Sequence, residues 1–182
     1  MKEWLLQFAQ LVRVPHWVKN GFVVVPAIFA RALSVENLVE LTQLFLGFSL
    51  LASAVYMFND LIDAPQDRQH IDKRYRPIAS GYFSFSFVIA MMLSFLVLAS
   101  FMLLDQPSAW PFLATYFIIN IGYTLALKYV AIVDVSVIGL GFVLRILAGG
   151  AVIGVFVSQW LVTIVFLLTT ALAFAKRRHD LS

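Results

Sequence analysis

The chain has 182 residues, enough for one ordinary domain. Apolar residues make up 62% and charged residues 13%, against about 45–50% and about 25% in soluble domains, and the mean hydropathy is +0.90. A soluble domain this small has too little interior to hide so much apolar surface. Disorder, a coiled coil and a nucleic-acid module are therefore excluded, and the chain belongs in a bilayer. The absence of cysteine removes disulfides, Cys-zinc sites and a thiol nucleophile together.

The opening apolar stretch Trp4–Val12 is short, broken by Gln7 and Gln10, and followed by Arg13. It lacks the small-residue cleavage site of a signal peptide. At about 20 apolar residues per crossing, six spans follow: Trp17–Leu33, Leu38–Phe58, Phe83–Leu104, Ala109–Leu127, Val135–Val157 and Trp160–Ala175. Lys19, Asn20 and Pro26 make the first the least regular, while Arg145 is the one charge deep inside the others, Glu40 standing at the start of span two. Gly81, Gln106-Pro107 and Ser158-Gln159 fall where turns are needed. The alternating Tyr82–Phe87 stretch leads into a long apolar run and reads as a helix entry, because an open strand would leave backbone groups unpaired in hydrocarbon. The fold class is all-α, a polytopic transmembrane helical bundle.

Lysine and arginine set the expected orientation. Lys2, Arg13 and Lys19 precede span one, and Arg68, Lys73, Arg74 and Arg76 separate spans two and three. Lys128 follows span four, and Lys176, Arg177 and Arg178 follow span six. All fall on one side of an alternating path, whereas Arg31 stands on the other beside Glu36, Glu40 and Asp105. The bias predicts a cytoplasmic N-terminus and a cytoplasmic charged loop. It also accounts for the pI near 9.3 without a nucleic-acid partner.

The informative segment runs from Asn59 to Gly81 and holds four of the ten acidic and four of the thirteen Lys/Arg residues. At about 100° per residue, Asn59, Asp63, Asp67 and Asp60 fall at about 0°, 40°, 80° and 100°, on one face at the inner end of span two. Stacked carboxylates repel. Oxygen ligands of this kind suit Mg²⁺, which takes one or two carboxylates and completes its shell with phosphate and water. The cations that follow suit phosphate, Arg as a bidentate fork and Lys as a point charge. A charge-balanced loop that only anchors topology is the plainer alternative. Arg145, costly at mid-membrane by at least ~2.5 kcal/mol, is expected to face the bundle interior and meet an anion, either a motif carboxylate or a substrate phosphate. Lys19 and Asn20 lie near enough to join the same pocket, although snorkelling explains Lys19 equally well, and Lys128 also reads as an anchor. Gly149, Gly150 and Gly154 read as packing residues, and Trp4, Trp17, Trp110 and Trp160 as interfacial belts. His16, His70 and His179 share no metal-ligand spacing.

The run Asn59-Asp60-x-x-Asp63-x-x-x-Asp67-Arg68-x-His70-x-x-Lys73-Arg74-x-Arg76-Pro77-Ile78-Ala79-Ser80-Gly81 resembles the first aspartate-rich motif of the UbiA superfamily of intramembrane prenyltransferases. It is most similar to the decaprenyl-phosphate phosphoribosyltransferase branch. Arg13-Val14-Pro15-His16-Trp17-Val18-Lys19-Asn20 resembles that branch's opening. Asp134, Gly141-Phe142-Val143-Leu144-Arg145 and Ala175-Lys176-Arg177-Arg178-His179-Asp180 resemble its later segments in order. Three departures stand out. Pro15 lies one position late, Ile71 replaces a proline, and Pro65 sits inside the Asp helix, where it should bend or end it before Asp67.

The resemblance implies a nine-helix fold of which residues 1–182 supply one membrane domain, about six spans and the N-terminal two-thirds, ending inside a second acidic motif at Asp180. It implies a bacterial inner-membrane enzyme moving phosphoribosyl from phosphoribosyl pyrophosphate to a polyprenyl phosphate. Mg²⁺ would sit on Asn59, Asp60, Asp63 and Asp67. Lys19, Asn20, Lys73, Arg76, Lys128 and Arg145 would hold substrate, with Asp60, Asp63 and Arg145 at the chemistry. The same first motif also fits prenyl transfer from a prenyl diphosphate to an aromatic acceptor such as 4-hydroxybenzoate. A transporter or channel subunit would need polar residues scattered along several spans, and here they gather at one end.

Overall fold

The computed structural model describes residues 1–128 and 131–180, with the side chains of residues 127, 131 and 177–180 not described. All regular structure among the described residues is helical. Helix α1 (Lys2–Val12) leads into a 3₁₀ segment (Val14–Val24) and the short α2 (Val25–Phe29). Then follow α3 (Val35–Asp67), α4 (Phe85–Met102), α5 (Trp110–Gly122) with a π-helical turn (Tyr123–Leu127), α6 (Ala131–Val152) and α7 (Gln159–Asp180). Among the described residues five helices are long and apolar enough to cross a membrane, matching predicted spans two to six.

The first predicted span is built differently. Pro15 and Pro26 bracket its Val-rich stretch, and it winds mainly as 3₁₀ helix. At about 2.0 Å per residue for 3₁₀ and about 1.5 Å for α, the 3₁₀ segment and α2 together still cover about 30 Å. A 3₁₀ run of 11 residues is long for its kind, and side chains of α3 hold it. Trp17 Nε1 donates to Ser53 Oγ at 3.0 Å, and Asn20 Nδ2 donates to Ser49 Oγ at 2.9 Å. Ser53 in turn donates to the Val12 carbonyl at 2.7 Å. Ser49 and Ser53 lie one turn apart on α3, so one serine ridge pins the whole segment.

Helix α3 starts where Ser34 accepts from the Asn37 amide, and continues through Pro65 to Asp67. Pro65 removes one backbone donor within the last turn, and the Arg68 amide still reaches the Ala64 carbonyl at 3.1 Å, so the expected break before Asp67 does not occur. With 33 residues α3 is about 50 Å long, which carries its acidic end past a hydrocarbon core of about 30 Å. Ser84 caps α4 by accepting from the Phe87 amide, so the Tyr82–Phe87 stretch is a helix entry, as its sequence predicts.

One core joins Phe48, Leu51, Val55, Leu113, Tyr116 and Leu144; a second, nearer α1, joins Leu11, Val12, Met57, Ile78 and Phe95. Gly149 lets α6 approach the 3₁₀ segment so closely that a Cβ there would collide with the Val23 carbonyl. Its structural reading holds.

Candidate active site

The polar residues of α3 divide into two sets. Asn59 and Asp63 form one ridge, with Asn59 Nδ2 donating to Asp63 Oδ2 at 3.1 Å. Asp60 and Asp67 form the other, and Arg76 bridges them at 3.4 Å to Asp60 Oδ1 and 2.8 Å to Asp67 Oδ2. The expectation of one shared face is thus refined: the arc of about 100° is wide enough for neighbouring elements to split it. Among the described residues no three His, Asp or Glu side chains converge on a common metal-binding point.

Each carboxylate already has a cation. Arg13 Nη2 lies 2.5 Å from Asp60 Oδ1, and Lys128 Nζ lies 2.5 Å from Asp63 Oδ1. Asp60 and Asp67 are buried, and a buried carboxylate without its partner is strongly unfavourable. Arg13 sits in the left-handed region at φ 56, a conformation uncommon outside glycine. There it stacks over the Tyr56 ring at 4.7 Å while reaching Asp60. The π-helical turn after α5 brings in the other partners: Thr124 Oγ1 donates to Asn59 Oδ1 at 3.1 Å, and Lys128 follows directly. Such turns recur at functional sites. Tyr123 donates to Asp134 at 2.6 Å.

A cavity of about 290 Å³ opens between the 3₁₀ segment, α3, α5 and α6, lined among others by Arg13, His16, Lys19, Asn59, Asp134 and Arg145. The 3₁₀ period of 3.0 residues stacks His16 and Lys19, and Arg13, left-handed just before the segment, lines the same cavity. Arg145 is buried. Its Nε donates to Asn20 Oδ1 at 2.8 Å and its Nη1 to the Gly141 carbonyl at 2.6 Å. The rings of Phe48, Tyr116 and Phe142 surround its guanidinium at 4.7, 4.9 and 5.7 Å. Arg145 thus faces the interior as expected, yet among the described residues it makes no salt bridge. Its charge rests on neutral oxygens and aromatic faces and is directed into the cavity. Asn20 lies beneath it, with both amide atoms engaged, as a support for Arg145 and away from a direct ligand position.

A second cavity, about 560 Å³, lies on the other side of the Arg13–Asp60 pair, between α1 and the loop after α3, with Asp72, Tyr75 and Arg76 in its wall. Arg13 and His16 line both cavities. Lys73 is exposed and lines neither. The side chains of Arg177, Arg178, His179 and Asp180 lie outside the described residues. Arg13, Tyr56, Thr124, Asp134 and His16 enter the site without having been singled out for it from sequence. For Arg13 and His16 the available signal was the three-residue spacing Arg13, His16, Lys19.

The profile of the UbiA prenyltransferase family matches residues 21–182. The chain belongs to this family. It is therefore an integral membrane protein of UbiA prenyltransferase type. It is 30% identical over 176 residues to the decaprenyl-phosphate phosphoribosyltransferase of Corynebacterium glutamicum, covering 93% of this chain and 53% of that protein. It is 32% identical over 177 residues to the protein of the same name from Mycobacterium tuberculosis, covering 93% and 58%. The fold matches a UbiA homolog from Archaeoglobus fulgidus bound to GPP and Mg²⁺, with a TM-score of 0.76 at 21% identity over 92% of this chain and 61% of that one. The chain thus spans between half and about three-fifths of the length of these relatives.

Proposed function

We propose that residues 1–182 form one membrane domain of a transferase that moves phosphoribosyl from phosphoribosyl pyrophosphate to a polyprenyl phosphate. The observation that carries this reading is one cavity whose wall gathers Arg13, His16, Lys19, Asn59 and Arg145. These charged and polar groups suit phosphate, in a wall that Val55, Val137, Ile138 and Phe142 complete with apolar surface, and relatives named decaprenyl-phosphate phosphoribosyltransferase support the choice of donor.

The donor set fits Mg²⁺. Asn59 lines the cavity and Asp63, bonded to it, stands one turn on; both offer hard oxygens, now engaged by Thr124 and Lys128, and Mg²⁺ needs only one or two carboxylates when phosphate completes its shell. Asn59 and Asp63 would hold the ion, with Asp60 and Asp67 in support once their arginines turn toward phosphate. A solved neighbour is bound to GPP and Mg²⁺, which agrees with this assignment. When bound, the ion would neutralise the leaving pyrophosphate. In the reaction the bond from C1 of the ribose to the pyrophosphate oxygen breaks, and an acceptor phosphate oxygen forms the new bond to C1. That oxygen is already anionic, so no proton has to be removed. Arg145, Lys19, Arg76, Lys128 and, at the exposed loop, Lys73 would hold phosphates and stabilise charge as the bond breaks.

Prenyl transfer to an aromatic acceptor is the second reading, favoured by the solved neighbour bound to GPP and Mg²⁺. The two separate in one assay. Membranes containing the protein, given labelled phosphoribosyl pyrophosphate and polyprenyl phosphate, should move label into lipid, while prenyl diphosphate with 4-hydroxybenzoate should give no product. The reverse result moves the protein to aromatic prenyl transfer. The cytoplasmic N-terminus, part of the same proposal, is checked by tags at Lys2 and within residues 77–80, expected inside, and near Ser34 and Gln106, expected outside. A tag in the 77–80 loop that reports outside would remove the route for a soluble donor.

A further inference from the structure

His16 sits where the two cavities meet and lines both. Its ring packs edge-on against Tyr56 with centroids 5.4 Å apart. Nδ1 is buried with no hydrogen-bond partner, and Nε2, which is not buried, makes no hydrogen bond among the described residues. With Nδ1 enclosed and Nε2 open, the ring presents an uncommitted nitrogen to the cavities, a donor when its proton sits on Nε2. Between Arg13 and Lys19 in the cavity wall, His16 offers an imidazole donor that nothing among the described residues engages.

We infer that His16 is a specificity-determining residue whose Nε2–H bonds a hydroxyl or ring oxygen of the donor's pentose, beside the phosphate-holding Lys19. The inference rests on the phosphoribosyl reading and deepens it. A prenyl chain has no oxygen to offer this group, and placing hydrocarbon there would leave the N–H unpaired, the situation in which polar sites discriminate most strongly.

The test uses the protein in its membranes. His16→Phe and His16→Met keep an apolar body against Tyr56 and remove the donor; His16→Gln keeps an N–H. The two non-donating variants should raise KM for phosphoribosyl pyrophosphate about tenfold with kcat little changed, and His16→Gln should restore most of it. Inhibition by ribose 5-phosphate should weaken by a similar factor, and inhibition by inorganic pyrophosphate should stay the same. Unchanged KM in both variants, or equal weakening toward pyrophosphate, overturns the assignment of His16 while wild-type ribosyl transfer leaves the broader reading intact. A wild-type protein that transfers prenyl and no ribosyl groups overturns both.

Discussion

Helices α3 and α4 pack along each other and answer to opposite rules. The most apolar window of α4 has mean hydropathy 2.4, and only 11% of it is buried inside the bundle; that of α3 has 1.7, and 56% is buried. In water the more apolar helix would be the hidden one. In a bilayer the lipid accepts the apolar helix, and the interior collects small and polar groups that hydrogen-bond between helices. Ser49 and Ser53 of α3 hold the 3₁₀ segment, and Asn59, Asp60, Asp63 and Asp67 gather the cations. Polar residues therefore mark the inside of this molecule, and α6, with 50% buried and Arg145 at its centre, follows α3.

The strongest way to break that comparison is at Arg145. Arg145→Met should lower transfer by at least about 10²-fold while the protein still accumulates, because Phe48, Tyr116 and Phe142 receive the thioether readily. A steady-state assay with an immunoblot checks both. Arg13→Met should destabilise the protein by about 3 kcal/mol, since Asp60 would keep only the longer contact to Arg76. Thermal unfolding in detergent reads this, and Asp60→Asn in the same chain should recover part of the loss. Gly149→Val should cost about 1–3 kcal/mol through its collision with the Val23 carbonyl, whereas Gly21→Ala, where a Cβ meets nothing, should be nearly silent. Smallest of all, Val97→Leu on the lipid side of α4 should change stability by less than about 0.5 kcal/mol.

These contrasts also separate what could be read from the sequence and what could not. Five spans and the acidic end of α3 were legible because hydrophobic length and i, i+4 spacing are local properties of the chain. The two-way division of the acidic residues was not, because it depends on Arg13, Arg76 and Lys128, of which Arg13 and Lys128 lie 47 and 65 residues from their partners. The grouping of Arg13, His16 and Lys19 escaped notice for a different reason. On an α-helix these positions spread over about 120°; the 3₁₀ winding eclipses His16 and Lys19, and Arg13 joins them in the cavity wall from its left-handed position before the segment. Asn20 was placed in the right neighbourhood, yet its task of holding Arg145 becomes visible only when α6 is packed against the 3₁₀ segment.

The central claim is that the Asn59–Asp63 ridge receives a divalent cation together with a diphosphate. Binding of Mn²⁺, as a spectroscopic substitute for Mg²⁺, measured by electron paramagnetic resonance with inorganic pyrophosphate present, tests it without turnover. Wild-type protein should bind the ion, and Asp63→Asn, which replaces a charged ligand by a neutral one of the same shape, should weaken binding by at least about tenfold. Equal Mn²⁺ binding by the two proteins would contradict the account.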